Sequence, residues 1–212
     1  MSTATKLDMK RDLGPLYAPP THPVLVEVPP LRYLMIDGVI PVGSTGPGTD
    51  PGFREAIGAL YGVTYSLKFE SKASGRDFVV MPLEGLFWAD GTEDAPPVGA
   101  SPMRWTLMIV QPPWITQEAV SKTAGALVEK RKLGRVPSLR LDTLAEGKAA
   151  QILHVGPYTE EHPTIEKLSA FVAERGLQPR RKHHEIYLSD PNRTAPERLK
   201  TVIRQPVRRT SR

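Results

Sequence analysis

The chain has 212 residues, 40% of them hydrophobic and 24% charged, which is an ordinary globular composition. Aromatics at 7% and six methionines can fill a core, so wholesale disorder is excluded, and no apolar run approaches the ~20 residues of a membrane helix. Lysine and arginine number 28 against 23 acids, a formal charge of +5, and there is no cysteine, which excludes disulfides, thiolate metal sites and a thiol nucleophile.

Residues 1–23 read as an N-terminal extension without the apolar stretch of a secretory signal, and with the missing cysteines this fits a cytoplasmic location. A β-branched run at 24–28 ends at Pro29-Pro30, and 32–38 (RYLMIDG) reads as a strand. The Gly/Pro loop 40–49 contains GSTGPG, which is no dinucleotide fingerprint because Pro47 interrupts it. Asp50 caps a helix with Pro51 at its first position, and Phe53, Ile57, Leu60, Thr64 and Leu67 form its buried face. Tyr61 and Tyr65 make a second stripe beside it.

Residues 78–88 read as a strand containing Pro82, 89–102 as a loop and 104–111 as a strand. Thr116 caps a linking helix, 116–132. A strand at 148–156, a helix at 164–175 and a strand at 183–189 follow. Thr194-x-x-Glu197 has capping-box spacing, and 201–207 is the last strand. The stretch from Arg204 holds four arginines and no acid, and with 208–212 as a basic tail it reads as a frayed, solvated terminus. Without it the chain is nearly neutral, so nucleic acid is disfavoured as a partner.

The two halves repeat each other. LMIDG (34–38) matches ILHVG (152–156), each precedes a helix, each helix leads to a strand with a central acid, and each half closes on Gln-Pro, at Gln111-Pro112 and Gln205-Pro206. The fold class read from this is α+β: two β-α-β-β units, 24–111 and 148–207, inside a single domain 24–207, joined by the linking helix and related by a pseudo-twofold axis.

A carboxylate within an apolar strand is expensive unless paired or used. Period-2 alternation puts Glu84 on one face with Leu86 and Trp88, and Glu185 on one face with His183 and Tyr187; Trp105, Leu107 and Ile109 share a face of the next strand. If both faces line one cleft, with Tyr61 and Tyr65 at its rim, the chain offers a pocket for a flat, neutral or cationic organic molecule. The bland alternative is two edge strands whose glutamates face water. His154, His162, His183 and His184 lack metal-binding helical spacing, and no nucleophile elbow or P-loop occurs, so no metal or cofactor is expected.

The stretches VLVEVPPLRYLMIDG, FREAIGALYGVTYSLKF, VVMPLEGLFW, HVGPYTEEHPTIEKL and HHEIYLSDPNRTAPERLKTVIRQPV closely resemble the stand-alone GyrI-like small-molecule-binding proteins. The resemblance spans Lys6 to Val207 and implies the SHS2/GyrI-like tandem repeat with a ligand cleft between the repeats. It further implies one of two activities: hydrolysis of spirocyclopropyl-dienone genotoxins, with Glu185 activating water and Tyr187 or Trp105 donating to the dienone oxygen, or non-catalytic binding of aromatic, cationic drugs. Inhibition of a topoisomerase partner is a third reading. The ligand-binding set carried over is Tyr61, Tyr65, Glu84, Trp88, Trp105, His183, Glu185 and Tyr187. Both glutamates are expected to face the cleft, with Glu185 the more buried and its pKa raised.

Overall fold

The computed structural model describes residues 6–44, 47–89, 102–130 and 139–210. In chain order these form α1 (Met9–Asp12), β1 (Val24–Val28), β2 (Leu31–Ile40), α2 (Pro51–Ala73), β3 (Leu83–Ala89), β4 (Met103–Val110) and α3 (Gln117–Glu129). Then come β5 (Arg140–Leu144), β6 (Gly147–Val155), α4 (His162–Glu174), β7 (Leu177–Pro179), β8 (His183–Tyr187) and β9 (Lys200–Arg209). Local chemistry starts the helices as expected: Asp50 accepts from the Phe53 amide at 2.8 Å, and Thr116 from Ala119 at 3.2 Å.

All pairings between these strands are antiparallel, in the order β1-β6-β9-β8-β3-β4-β2-β5, with β7 added to β9. The order reads alike from either end. LMIDG and ILHVG lie in β2 and β6, each second from an edge, so the tandem β-α-β-β architecture is present. The edge strands are exchanged: β1 leads into β2 but pairs with β6, while β5 leads into β6 but pairs with β2.

The register sets which side chains share a face. Glu185 is opposite Gly85 and Ile203, and Ile203 is opposite Ile152, so these project to one side with Phe87. Helices α2 and α4 lie there. Phe53 of α2 packs edge-on to Trp105 at 5.2 Å between ring centroids and stacks on Phe87 at 6.3 Å, while Leu168 and Val172 of α4 bury Ile152 and Ile203. The central strands β3 and β8 therefore floor a cleft between α2 and α4.

Gly38 is required at one close approach. A Cβ there would lie 2.0 Å from Cζ2 of Trp105, whose ring is wedged against Phe53. Gly38→Ala overpacks this junction and is expected to cost about 1–3 kcal/mol in urea unfolding. An unchanged midpoint would show that the indole is free to swing away.

Several elements differ from the sequence expectation. The strand at 78–88 starts only after Pro82, which cannot donate to a ladder. Thr194 and Glu197 form no capping box; a 3-10 turn, Pro196–Arg198, follows Ala195 without a side-chain cap. The linking helix is described to Glu129, and 131–132 lie outside the described residues, as do most of the loop 89–102 and the tip of the tail. The C-terminal basic run is no frayed tail: β9 continues to Arg209, and Arg204 is 0% exposed. Residues 6–20 are also docked, with Leu16 and Tyr17 buried.

Candidate functional site

The cleft floor carries Glu185, Tyr187 and His183 on β8. Tyr187 donates its hydroxyl to Glu185 Oε2 at 2.8 Å, and His183 Nε2 lies 3.1 Å from Oε1. Burial pushes the Glu185 carboxyl up, but His183 and Tyr187 outweigh it and hold the pKa below the ordinary range. This corrects the expected direction: apolar neighbours in the sequence suggested desolvation, whereas two polar neighbours on the same face supply hydrogen bonds.

One wall comes from the start of α4. His154 Nδ1 meets the Thr164 hydroxyl at 2.9 Å and Nε2 meets the Pro157 carbonyl at 3.2 Å, which clamps the turn carrying Tyr158 and Glu161. Tyr158 stands edge-on to Tyr187 with centroids 5.6 Å apart. It is itself 39% exposed, so it borders this side of the cleft and is not part of the core. Glu161 is 6% exposed, makes no side-chain cap with its helix, and its Oε1 has no hydrogen-bond partner among the described residues. Burial first, then the charge of Glu185, raises its pKa to about 9, with Thr201 opposing. Glu161 is therefore protonated at neutral pH while Glu185 is ionised. Pairs of carboxyls driven apart in this way mark acid–base sites.

The opposite wall is α2. Tyr61 is half-buried, and its ring lies 6.2 Å from that of Tyr65, which is 45% exposed at the rim. Burial first, then Tyr65, raises the Tyr61 phenol, and Tyr158 is pushed up to about 12 by burial, Glu161 and Glu185, with Tyr61 adding to it from across the cleft.

Three expected residues stand elsewhere. Glu84 pairs with Ile186, one step out of phase with Glu185, so it projects through the other face of the sheet. It is also the more buried, at 0% exposed. Nor are the two glutamates repeat partners. Aligning ILHVG with LMIDG carries Ile109 onto Ile203 and Met108 onto Val202, which brings Ile186 onto Glu84. Trp88 shares the Glu84 face, with Lys182 Nζ 3.1 Å from its ring centroid. Trp105 is on the cleft side but at the far end, 3% exposed and packed on Phe53, with its indole nitrogen unpartnered among the described residues.

Beneath the floor lies a closed polar network. Glu84 accepts from Tyr17 at 2.7 Å and Tyr33 at 3.2 Å and sits 3.0 Å from His184 Nε2, an ion-pair contact off hydrogen-bond alignment. His184 Nδ1 meets Glu146 at 3.0 Å, and Glu146 accepts from Arg204 at 3.1 Å. Arg204 also donates to Gln151 at 3.0 Å and to the Leu16 carbonyl at 2.8 Å. Glu84 is thus spent on structure, which satisfies a buried carboxylate as the chemistry demands.

A family model for the GyrI-like small molecule binding domain matches residues 116–208. An uncharacterized conserved protein from Listeria innocua has 33% sequence identity and a TM-score of 0.84, over 96% of this chain and 100% of that one. The chain belongs to the GyrI-like family. A second GyrI-like neighbour, a hydrolase from Listeria innocua, has 32% identity and a TM-score of 0.79, again over 96% and 100% of the two chains. The EcmrR C-terminal domain shares the GyrI-like fold at 13% identity and a TM-score of 0.54, covering 89% of this chain and 98% of that one. No curated protein matches the chain. Among the described residues no helix is long and apolar enough to cross a membrane, and no group of three or more histidine, cysteine or acidic residues is placed to hold a metal.

Proposed function

We propose that this GyrI-like protein binds flat, hydrophobic, neutral or cationic small molecules between α2 and α4 and hydrolyses cyclopropane-containing dienones there. The observation that carries the reading is the carboxyl pair: Glu185 ionised and Glu161 protonated in one aromatic cleft. The protein from Listeria innocua called a hydrolase adds support.

The ring opening follows from these roles. Glu185 takes a proton from a water that attacks the strained methylene carbon. The ring C–C bond breaks, and its electron pair moves into the dienone to give a phenol oxygen. Glu161, the protonated partner, delivers the proton that this oxygen accepts. Water is added across the bond, and proton exchange with solvent restores both carboxyls. The donor role passes to Glu161 because Tyr187 already gives its proton to Glu185 and Trp105 stands at the far end. Tyr61, Tyr158 and Tyr187 supply flat contact area, and Tyr65 extends it at the rim.

An ionised Glu185 framed by aromatic rings also suits a cation, so simple binding is the second reading. Incubation with a spirocyclopropyl dienone, followed by chromatography, separates the two. The ring-opened hydrated phenol is expected in many-fold excess over protein. Recovery of intact substrate, retained stoichiometrically, would leave only binding.

A further inference from the structure

Helix α2 carries a second regular row, on the side turned to solvent. Glu55, Gly58, Gly62, Tyr65, Phe69 and Lys72 recur at alternating steps of three and four, the spacing of a helix–helix seam. The row lies opposite the buried one that holds Phe53, Leu60 and Leu67. The outward side of a surface helix is ordinarily polar. Here Tyr65 is 45% and Phe69 63% exposed, with their rings 6.5 Å apart. Glycine in a helix interior is less favourable than alanine. A Cβ at Gly58 would meet nothing within 4 Å, so packing inside the chain does not require the small residue there.

The row complements itself when reversed. A second copy of α2, laid antiparallel about the midpoint between Gly62 and Tyr65, sets Tyr65 against Gly62 of the second copy, Phe69 against its Gly58 and Lys72 against its Glu55. Twofold symmetry makes each of these contacts twice. Every ring meets a position without a side chain, and every base meets an acid. In the parallel arrangement ring meets ring and Lys72 meets its own copy. We infer that this seam is the interface of a twofold homodimer in which α2 packs antiparallel on α2. The occupant is a second copy because shape and charge match together only in the reversed sense; a flat ligand on the rings leaves Glu55 and Lys72 without a role. Tyr65 also stands at the rim of the cleft, so the second copy sits beside that rim. The interface uses neither Glu161 nor Glu185, and it stands or falls apart from the hydrolase reading.

Sedimentation velocity of the full chain over a dilution series tests this. Wild type should run at twice the chain mass and dissociate on dilution. Phe69→Ser should weaken association roughly a hundredfold, because one substitution removes two rings from a twofold interface. Gly58→Leu should do the same by filling the hole opposite Phe69. Its thermal melt should be no lower than that of dilute wild type, since the position is open within the chain and leucine favours helix. Lys72→Glu and Glu55→Lys each set like charges against one another and should each weaken the dimer about tenfold. Mixing those two variants should restore it, because every acid then faces a lysine. Gly58→Leu serves alone if Phe69→Ser fails to fold. The proposal is overturned if wild type is monomeric at every concentration, or if Phe69→Ser and Gly58→Leu leave a dimer intact, which would place the interface elsewhere. It is equally overturned if the mixed charge variants associate no better than either one alone.

Discussion

Glu161→Gln and Glu185→Gln are each expected to lower kcat for dienone hydrolysis by roughly 10²–10⁴-fold, the usual contribution of a positioned general acid or base. Both replacements keep size and shape, so binding of neutral aromatic ligands should change far less. The two should differ elsewhere. Wild-type turnover should rise as Glu185 ionises below its ordinary carboxylate range and fall as Glu161 loses its proton near pH 9. Residual turnover in Glu161→Gln should lack that alkaline limb. For the Glu161→Gln substitution, stability at alkaline pH should move the opposite way from activity. Its folded pKa lies above its unfolded value of 4.5, so its contribution is complete below about 4.5 and is lost as pH rises through about 9. Glu161→Gln removes that loss and should melt higher than wild type at alkaline pH. An amide that melts lower and hydrolyses as fast as wild type would remove Glu161 from the site. Chromatographic rates and thermal melts over pH 5–10 decide both.

Arg204→Met is expected to cost about 3–5 kcal/mol, because it strands Glu146 and upsets a balanced, fully buried set of charges. For a chain of this size that is on the order of 10 °C in Tm. Arg204→Lys should rescue little: an ammonium cannot reach Glu146, Gln151 and the Leu16 carbonyl together in the planar geometry the guanidinium uses. The pH dependence follows from the same groups. Burial pushes His184 down, yet Glu146 and Glu84 outweigh it and raise it to about 9. Its stabilisation is complete below the unfolded value of 6.5 and is lost as pH rises through about 9. Glu146 is desolvated, but His184 and Arg204 bring it down to about 2, so its stabilisation is present above 4.5 and is lost as pH falls through about 2. The network is therefore fully effective between those limits. Urea midpoints should peak on the mildly acidic side of neutrality and flatten in a His184→Asn variant that retains its fold. A wild-type peak above pH 9 would contradict the charge assignment.

Most of the architecture was legible because its signals are local. Asp50-Pro51 announces α2, the i, i+3, i+4 spacing of Phe53, Leu60, Thr64 and Leu67 marks its buried side, and the paired LMIDG and ILHVG reveal the repeat. Alternation also sorted each strand correctly, grouping Glu84 with Trp88 and Glu185 with His183 and Tyr187. What it cannot supply is the phase between strands. A shift of one residue in the β3–β8 register would have put both glutamates in the cleft, and only the pairing of Glu84 with Ile186 separates them. Arg204 was misread for a related reason. Its neighbours in sequence are basic, but its partners Glu146 and Leu16 lie 58 and 188 residues away. Glu161 was missed because Glu160-Glu161 ahead of His162-Pro163 looks like ordinary acid at a helix start; only the fold shows one of the two turned into the cleft instead of capping. β5 was overlooked because RLDTL has no fully buried position, as befits an edge strand.

The central claim is that Glu161 holds a proton beside an ionised Glu185 at neutral pH. Difference infrared spectroscopy of ¹³C-glutamate-labelled protein, wild type against Glu161→Gln and Glu185→Gln, reads this directly. The account predicts a protonated carboxyl band at pH 7 that persists in Glu185→Gln, bleaches on titration through about pH 9 in wild type, and is absent from Glu161→Gln. A band that is missing from wild type at pH 7, or that survives in Glu161→Gln, would contradict it.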